Sequence, residues 1–334
     1  MTSAAKTTKQ VLAGIVLMVL AGLGPWILLS LLGWPDAAVA AILPAVALTI
    51  TCVTGSGWRA GFIVVVPFAV LSGLATWASP SPWLAAIVLA VGAFLRGYAA
   101  RFGMHDALML TVIALGFLVA VPPSFTADTP APLIVAAVTL GSGLWASTVI
   151  YALRAFIPNM PRVRVAPSRV LAFSIVLALL VGVATFLVVR FNLGQTGGWI
   201  ILTILVVYQP HLGSGIKKAG SRALGTIAGF GITIVVGLFF PTGPILYVLG
   251  FIFIVITFLF ILQNRPYWMY AMVLTPAVVL LDSANSAVGI VARERLVATI
   301  IGVACTLLVM LALVPVERYF EKKLAAPVHP PQSG

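Results

Sequence analysis

Two segments of the chain place an arginine, a threonine and a glycine at the same spacing. Residues 222–229 read Arg-Ala-Leu-Gly-Thr-Ile-Ala-Gly, and residues 295–302 read Arg-Leu-Val-Ala-Thr-Ile-Ile-Gly. On an α-helix, positions i, i+4 and i+7 share one face, so each segment predicts a small polar face beside a guanidinium. Such a face could bind an organic carboxylate, and its predicted binding residues are Arg222, Thr226, Arg295 and Thr299.

A structural interpretation of the same segments stays open. Glycine and threonine allow membrane helices to approach each other closely, and Arg295 could form an interfacial ion pair with Glu294 or Asp282. An arginine inside a membrane span is costly, however, and arginines kept there tend to line a pathway. The two arginines therefore carry more functional weight than the small residues beside them.

A glycine-rich stretch with two lysines precedes the first arginine. We expect Gly213–Gly220 to form a loop that carries Lys217 and Lys218, and Arg222 to open the next helix. A helix N-terminus has free N–H groups and a partial positive charge, so the loop, the lysines and the helix end would together attract an anion. The lysines are equally explained as topology anchors or as contacts to anionic lipid.

Two tryptophans, Trp199 and Trp268, each lie a short distance before one of the arginine segments. We predict that both contact the bound anion. Tryptophans near the ends of membrane helices also form interfacial belts that need no substrate, which is the alternative for this pair.

Several kinds of chemistry are missing from the sequence. It has no GxxxxGK[ST] phosphate-binding loop, its three histidines lack metal-ligand spacing, and both cysteines lie inside apolar runs. Asp106 is expected to be structural, either paired with Arg101 or capping its helix. The sequence therefore predicts no enzyme activity, no catalytic residue, no metal and no cofactor.

The elements that must position these residues are membrane helices. Hydrophobic residues make up 62% of the chain and charged residues only 8%, against about half and a quarter in soluble domains. Apolar runs of about twenty residues, such as Val11–Leu32 and Leu133–Leu153, are long enough to cross a bilayer as helices. They lack the alternation of a membrane β-barrel. The fold class is therefore an all-α polytopic membrane protein.

Breaking the runs at proline, glycine and charge clusters predicts about twelve transmembrane helices. Their predicted centres lie near Leu20, Val46, Val66, Val88, Ile113, Val138, Leu179, Leu205, Ile232, Phe253, Val273 and Val303. With both termini in the cytoplasm, sixteen of the nineteen lysines and arginines fall on the inner side, as the positive-inside rule requires. The sequence predicts a multi-pass protein of the bacterial cytoplasmic (inner) membrane. The same scattered basic residues argue against binding of nucleic acid.

The chain reads as two tandem six-helix bundles, a parallel repeat. Gly55, Ser56, Gly57 and Arg59 match Gly213, Ser214, Gly215 and Lys217 at one constant offset. In such proteins the substrate path usually lies between the halves. The predicted domains are an N-terminal six-helix half at 1–155, a cytoplasmic connector at 156–168, a C-terminal six-helix half at 169–316 and a cytoplasmic tail at 317–334.

Further residues in the second half, taken together, form a recognisable pattern. They are Gly198-Trp199, Leu202-Thr203, Gln209-Pro210, Gly213, Lys218-Ala219, Arg222, Leu224-Gly225-Thr226, Gly229, Tyr267-Trp268 and the segment from Arg295 to Gly302. This order resembles the signature of the fusaric acid resistance-like (FUSC) family, whose relatives include bacterial aromatic acid exporters. In the first half the offset places Val64 where the second half has Arg222.

The resemblance implies an inner-membrane protein with bundles of six helices that moves organic acids, such as aromatic carboxylates, outward. The leading hypothesis is a secondary exporter in which Arg222 and Arg295 bind the carboxylate at two depths. A channel-like organic anion pathway and a noncatalytic membrane scaffold are the alternatives. The expected partners are a small organic anion and the lipid bilayer, and a homo-oligomer or an envelope adapter protein is left open.

Overall fold

The fold is that of a computed structural model, which describes residues 16–55, 57–125, 131–154, 162, 164–243, 245–263, 265–283 and 288–325. This part of the chain is helical and contains no β-strand. Its α-helices are α1 (Gly24–Leu31), α2 (Pro35–Gly55), α3 (Trp58–Ala78), α4 (Pro82–Tyr98), α5 (Met109–Ala120), α6 (Ala131–Ala152), α7 (Pro167–Arg190), α8 (Gly194–Val207), α9 (Leu212–Phe239), α10 (Ile245–Leu262), α11 (Tyr267–Asp282) and α12 (Val288–Ala325). A π-helical turn, Met18–Leu23, leads into α1.

Every predicted span centre lies in a helical segment, in the predicted order. Seven helices are long and apolar enough to cross a membrane: α2, α3, α4, α6, α7, α9 and α12. The other five, counted within the described residues, are shorter apolar helices. The all-α class is confirmed and the seven long helices support a multi-pass membrane protein, whereas twelve crossings stay a prediction.

Contacts between helix ends show that α4 and α7 run antiparallel and that α2 and α4 end on the same side. At one end the Thr51 hydroxyl donates to the Ala107 carbonyl at 3.0 Å, and the Val165 amide donates to the Ala100 carbonyl at 3.0 Å. At the other end the rings of Trp83 and Phe186 lie 4.5 Å apart. The end of α2 and the segment between α4 and α5 therefore lie opposite the start of α4 and the end of α7.

The two shortest of the central helices, α5 and α8, lie where the halves meet. At a rise of 1.5 Å per residue they are roughly 18 and 21 Å long, less than the ~30 Å of a hydrocarbon core. They pack closely because Gly116 faces Ile201 and Gly198 faces Phe117. Every residue of α8 from Gly197 to Val207 is buried. Helix α8 is thus a buried central helix of the second half.

The surface between the halves is one apolar core. It is formed by α4 against α7 and by α5 against α8. Leu89, Leu115, Leu177 and Ile201 are among its buried residues. Since close-packed aliphatic side chains fill this surface, it offers a carboxylate no favourable route along most of its length.

The helix pairings of the first half recur in the second. Helix α6 packs on α2 and α3 in the first half, as α12 packs on α8 and α9 in the second. Helix α5 packs on α3 and α4, as α11 packs on α9 and α10. These pairings are consistent with the predicted tandem repeat, which stays a prediction.

Two predicted boundaries can be compared with the helices. The connector at 156–168 lies largely outside the described residues. Helix α7 already begins at Pro167, where proline is favoured at a first helical turn. Helix α12 continues beyond Val316 to Ala325, so the start of the predicted tail is helical.

Candidate anion-binding site

The largest fully buried side chains in the described part of the chain are three arginines. Arg96, Arg222 and Arg295 have at most 1% of their surface exposed, and each belongs to a different helix. A buried guanidinium is costly unless its N–H groups find acceptors or a negative partner. The partners of these three residues therefore show what each one does.

Arg222 lies in the third turn of α9, and only part of its guanidinium is satisfied. Its Nη1 donates to the Tyr267 hydroxyl at 3.3 Å. Its Nε and Nη2 are buried and have no hydrogen-bond partner among the described residues. One turn further along α9, the buried Thr226 hydroxyl also has no hydrogen-bond partner among the described residues. Two N–H groups and one hydroxyl thus lie together inside the protein, where a carboxylate could accept from them.

Helix α9 can bury Arg222 because glycines bring it close to α11. A methyl group at Gly225 would come within 2.6 Å of the Trp268 carbonyl oxygen, and one at Gly229 would collide with the Met272 carbonyl. Close approach of this kind is what glycine provides between membrane helices. It places Tyr267, at the start of α11, beside the guanidinium.

Arg295 lies in the second turn of α12 and faces α8. Its guanidinium carbon is 4.1 Å from the centre of the Trp199 ring, a cation–π contact. Trp199 is itself held edge-on against Phe117 at 4.6 Å. Gly302, two turns further along α12, packs on Thr203 of α8. The sequence order associates Trp199 with the Arg222 segment, but the structure places its ring against Arg295. Trp199 is buried, unlike a residue of an interfacial belt.

The predicted face of both segments is buried. Thr226 and Thr299 are at most 2% exposed, and the Thr299 hydroxyl donates to the Arg295 carbonyl at 2.9 Å. Glu294, one of the two alternative partners of Arg295, is exposed. The Asp282 side chain lies outside the described part of the structure.

Trp268 does not have the predicted place. Its side chain is 37% exposed on α11, and it meets α9 through its backbone carbonyl rather than its ring. The hydroxyl of Tyr267, one residue earlier, is the aromatic side-chain group that contacts Arg222. Trp268 was predicted because it lies a short distance before the Arg295 segment, and distance along the chain does not show which helix face a side chain occupies.

The predicted loop Gly213–Gly220 is wrong. Helix α9 begins at Leu212, so these residues, Lys217 and Lys218 are helical and Arg222 does not open the helix. Glycine weakens a helix by about 1 kcal/mol in water, but glycines are common in membrane helices. Gly215 packs against Met310 of α12. Tertiary packing thus overrides the local turn signal, and the helix end does not meet Arg222.

The two lysines have different surroundings. Lys217 is exposed. Lys218 donates to the Asp106 carboxylate at 3.0 Å, which ties α9 to the segment between α4 and α5. Asp106 is therefore structural, as expected, but its partner is Lys218, whereas the described contact of Arg101 is with the Tyr98 hydroxyl.

His105 and Asp106 titrate in the field of this ion pair. Burial raises the pKa of Asp106, but the combined effect of Lys218, His105 and Arg96 is larger and holds that pKa below its ordinary value. Burial, with smaller effects of Arg96 and Lys218, lowers the pKa of His105. At neutral pH Asp106 is thus charged and His105 is neutral.

Arg96 is the buried residue that sequence reasoning missed. It lies near the end of α4, its Nε donates to the His105 carbonyl at 2.9 Å, and its Nη1 donates to the Leu205 carbonyl at 2.8 Å. The last carbonyls of a helix lack intrahelical partners, so Arg96 caps α8 from the other half. The Gln209 amide donates to the Val206 carbonyl at 3.0 Å and completes the cap.

No group of three His, Cys, Asp or Glu that could hold a metal ion occurs in the residues covered by the structure. The groups brought together around Arg222 are hydrogen-bond donors. An arrangement of donors suits an anion, not a cation.

Comparison with known proteins gives one match. Residues 177–309 match the family model described as fusaric acid resistance protein-like, which covers roughly two fifths of the chain. No curated protein and no solved structure matches. The matched range extends from α7 into α12 and contains Arg222, Arg295 and Trp199. The family resemblance is therefore confirmed over residues 177–309, which match the fusaric acid resistance protein-like family.

Proposed function

We propose that the chain is a secondary transporter that exports small organic acids, mainly aromatic carboxylates. The observation that carries the proposal is the buried guanidinium of Arg222, with two N–H groups that have no partner among the described residues. A carboxylate bound there would supply both the missing acceptors and the missing negative charge.

Two further observations support this function. The family match lies on the half that holds the site and indicates a membrane transporter of the efflux type. Trp199 and Phe117 also bring aromatic surface to the second buried arginine, Arg295. An aromatic acid has both a carboxylate for a guanidinium and a ring for such a surface.

The proposal includes the placement of the chain in the membrane. All twelve helices cross the bacterial inner membrane, with both termini in the cytoplasm and the two halves as duplicated bundles. The clustering of exposed basic residues at one end supports this orientation: Arg59, Arg101, Arg154, Arg162, Arg164, Lys217 and Arg265.

The test is efflux from proteoliposomes loaded with benzoate, salicylate, acetate or succinate. Arg222→Ala should lower benzoate efflux by roughly 10- to 100-fold, because hydrogen bonds to a charged group contribute about 1.5–3 kcal/mol. Arg59→Ala removes an exposed arginine from the same side and should leave efflux unchanged. Monodispersity in detergent shows whether each variant is folded.

Equal leak of every acid from wild type, Arg222→Ala and empty liposomes would reject transport and leave the scaffold role. Flux that never saturates and passes as single-channel current would replace the exporter with a channel. Saturable flux that follows an imposed proton gradient supports the exporter.

A further inference from the structure

Helices α9 and α12 pack antiparallel, and two contacts fix their register. Gly237 faces Val288 at one end, and Gly215 faces Met310 at the other. The two contacts are separated by the same number of residues on each helix. Each residue further toward the C-terminus of α9 therefore lies opposite a residue one position closer to the N-terminus of α12.

The residues at this interface form a stripe on each helix. At 100° per residue, Gly215, Arg222, Thr226, Thr233 and Gly237 lie within about 60° of each other on α9. The stripe on α12 consists, by the same reasoning, of Val288, Arg295, Thr299, Thr306 and Met310. We call the two facing stripes the polar seam.

The seam contains buried polar residues that lie at ordered depths. Thr233 and Thr306 are fully buried, as are both arginines and the other two threonines. The register places Thr226 opposite Thr299, and Arg222 opposite Val303. Arg222 and Arg295 are thus separated by about 12 Å along the helices. They lie at two depths along the seam, with Thr226 and Thr299 between them and Thr306 and Thr233 beyond them. Arg222 also contacts α11 through Tyr267, and Arg295 also contacts α8 through Trp199.

The seam differs from ordinary glycine and threonine packing in one respect. Arg222 keeps buried guanidinium N–H groups that have no partner among the described residues, whereas on α3 and α6 the groups in this state are the hydroxyls of Ser72, Thr139 and Ser142. Thr233, Thr299 and Thr306 donate to carbonyls of their own helices at 2.7–2.9 Å. Their hydroxyls could rotate toward a passing anion. The surface between the halves, by contrast, is mostly apolar, with aliphatic and aromatic side chains.

We infer that the organic anion crosses the C-terminal half along the polar seam between α9 and α12, not between the two halves. The inference rests on the proposed transport function and assigns its route. The anion passes from one arginine to the other by way of the threonines. The contacts of Met310 with Gly215 and of Val288 with Gly237 close the two ends of the seam in this structure.

The experiment is thiol labelling along the seam in proteoliposomes. Cys52 and Cys305 are replaced by alanine, and Thr233→Cys or Thr306→Cys is introduced singly. An anionic, membrane-impermeant methanethiosulfonate is the probe, and benzoate is the competitor. The readout is the fraction of thiol that stays unmodified, measured after denaturation by a maleimide mass shift.

Chain positions next to the seam provide the controls. One control keeps the native Cys305, which is exposed on α12 beside Thr306, and replaces only Cys52 by alanine. The other carries Val235→Cys in the protein without native cysteines, and Val235 is 55% exposed on α9 near Thr233. A charged probe should not reach cysteines at these lipid-facing positions. Both seam cysteines should be labelled, and benzoate should slow labelling at least 5-fold.

The outcomes separate the route from the function. If the wild type transports benzoate but neither seam cysteine is labelled, the route is wrong and the proposed function stands. Labelling that benzoate does not slow, or that equals labelling at Val235→Cys, also rejects the route. Absence of benzoate flux in the wild type rejects the function itself. Threonine-to-cysteine changes are nearly isosteric, and benzoate flux through each variant verifies that it is folded.

Discussion

The two halves use the same kind of helix pair for different purposes. In the first half α3 and α6 pack antiparallel, with Gly61 against Ser147 and Gly143 against Val65. In the second half α9 and α12 pack in the same way through Gly215 and Gly237. Both interfaces bury hydroxyl groups, but only the second buries arginines among the described residues. Buried hydroxyls alone therefore do not distinguish the two interfaces, and the buried guanidinium groups do.

The position equivalent to Thr226 in the first half, Phe68, shows the difference most directly. It is 2% exposed and belongs to the apolar core. Phe68→Ala should lower the free energy of unfolding by about 3 kcal/mol, because it leaves a cavity. The measurement is the thermal unfolding of detergent-solubilised protein.

Phe62→Ala, on an exposed part of the same helix, is the matched control and should have little effect. Benzoate efflux per folded molecule should be the same in both variants. A selective loss of efflux in Phe68→Ala would mean that the first half also lines the route.

A substitution at the glycine contact between α9 and α11 should have the next largest effect on stability. Gly229→Ala would press its methyl group onto the Met272 backbone, which cannot move aside as a flexible side chain can. We expect a loss of about 1–3 kcal/mol, the usual cost of overpacking, measured as a lower Tm.

Gly231→Ala on the same helix has open space around it and provides the control. It should be neutral or raise stability by about 0.5–1 kcal/mol, because alanine favours a helix more than glycine does. Equal Tm values for the two variants would contradict the close approach of α9 and α11.

Thr226→Val tests the hydroxyl without changing the volume of the side chain much. Loss of one hydrogen bond of about 0.5–1.5 kcal/mol should raise the KM for benzoate efflux roughly 3- to 10-fold. Stability should stay the same or increase, because a buried hydroxyl without a described partner is removed. Thr226→Ser keeps the hydroxyl and should keep the wild-type KM. A loss of efflux in the serine variant alone would show that the methyl group matters instead.

The smallest expected effect is that of pH at the C-terminal end of α4. The pKa of His105 is lowered by burial from its ordinary value of 6.5, so the unfolded chain takes up a proton more readily than the folded one. Stability therefore falls as the pH drops below about 6.5. His105→Gln should reduce this dependence, seen as a Tm that changes by a few degrees less between pH 7.5 and pH 5.5.

His211→Gln changes an exposed histidine and is the control. The ion pair of Asp106 with Lys218 should not contribute to the pH effect in this range, because the pKa of Asp106 is already held below 3.8. A Tm that falls equally steeply in wild type and His105→Gln would exclude His105 as the origin.

The sequence predicted well those features that depend on local composition. Apolar runs placed every helix centre, since the bilayer imposes a length of about twenty residues. The spacing of Arg222 and Thr226, and of Arg295 and Thr299, predicted which face would be buried. Each prediction depended only on residues within one helix, through its length or through its repeat of 3.6 residues per turn.

Features that depend on distant partners were missed. Arg96 looked like one more positive charge at a helix end, and its acceptor at Leu205 is 109 residues away. The glycines of 213–220 suggested a loop, because the Met310 side chain that packs on Gly215 comes from another helix. For Asp106, sequence proximity suggested Arg101, whereas folding supplies Lys218.

The hydrogen bond from Arg96 to Leu205 has a consequence for biosynthesis. A ribosome that has completed the first six helices has already made the guanidinium but not yet the carbonyl that accepts from it. Until α8 enters the membrane, the nascent first half holds a cation without this acceptor and remains dependent on the insertion machinery. A chain that stops after α6 is therefore expected to be recognised by quality-control proteases.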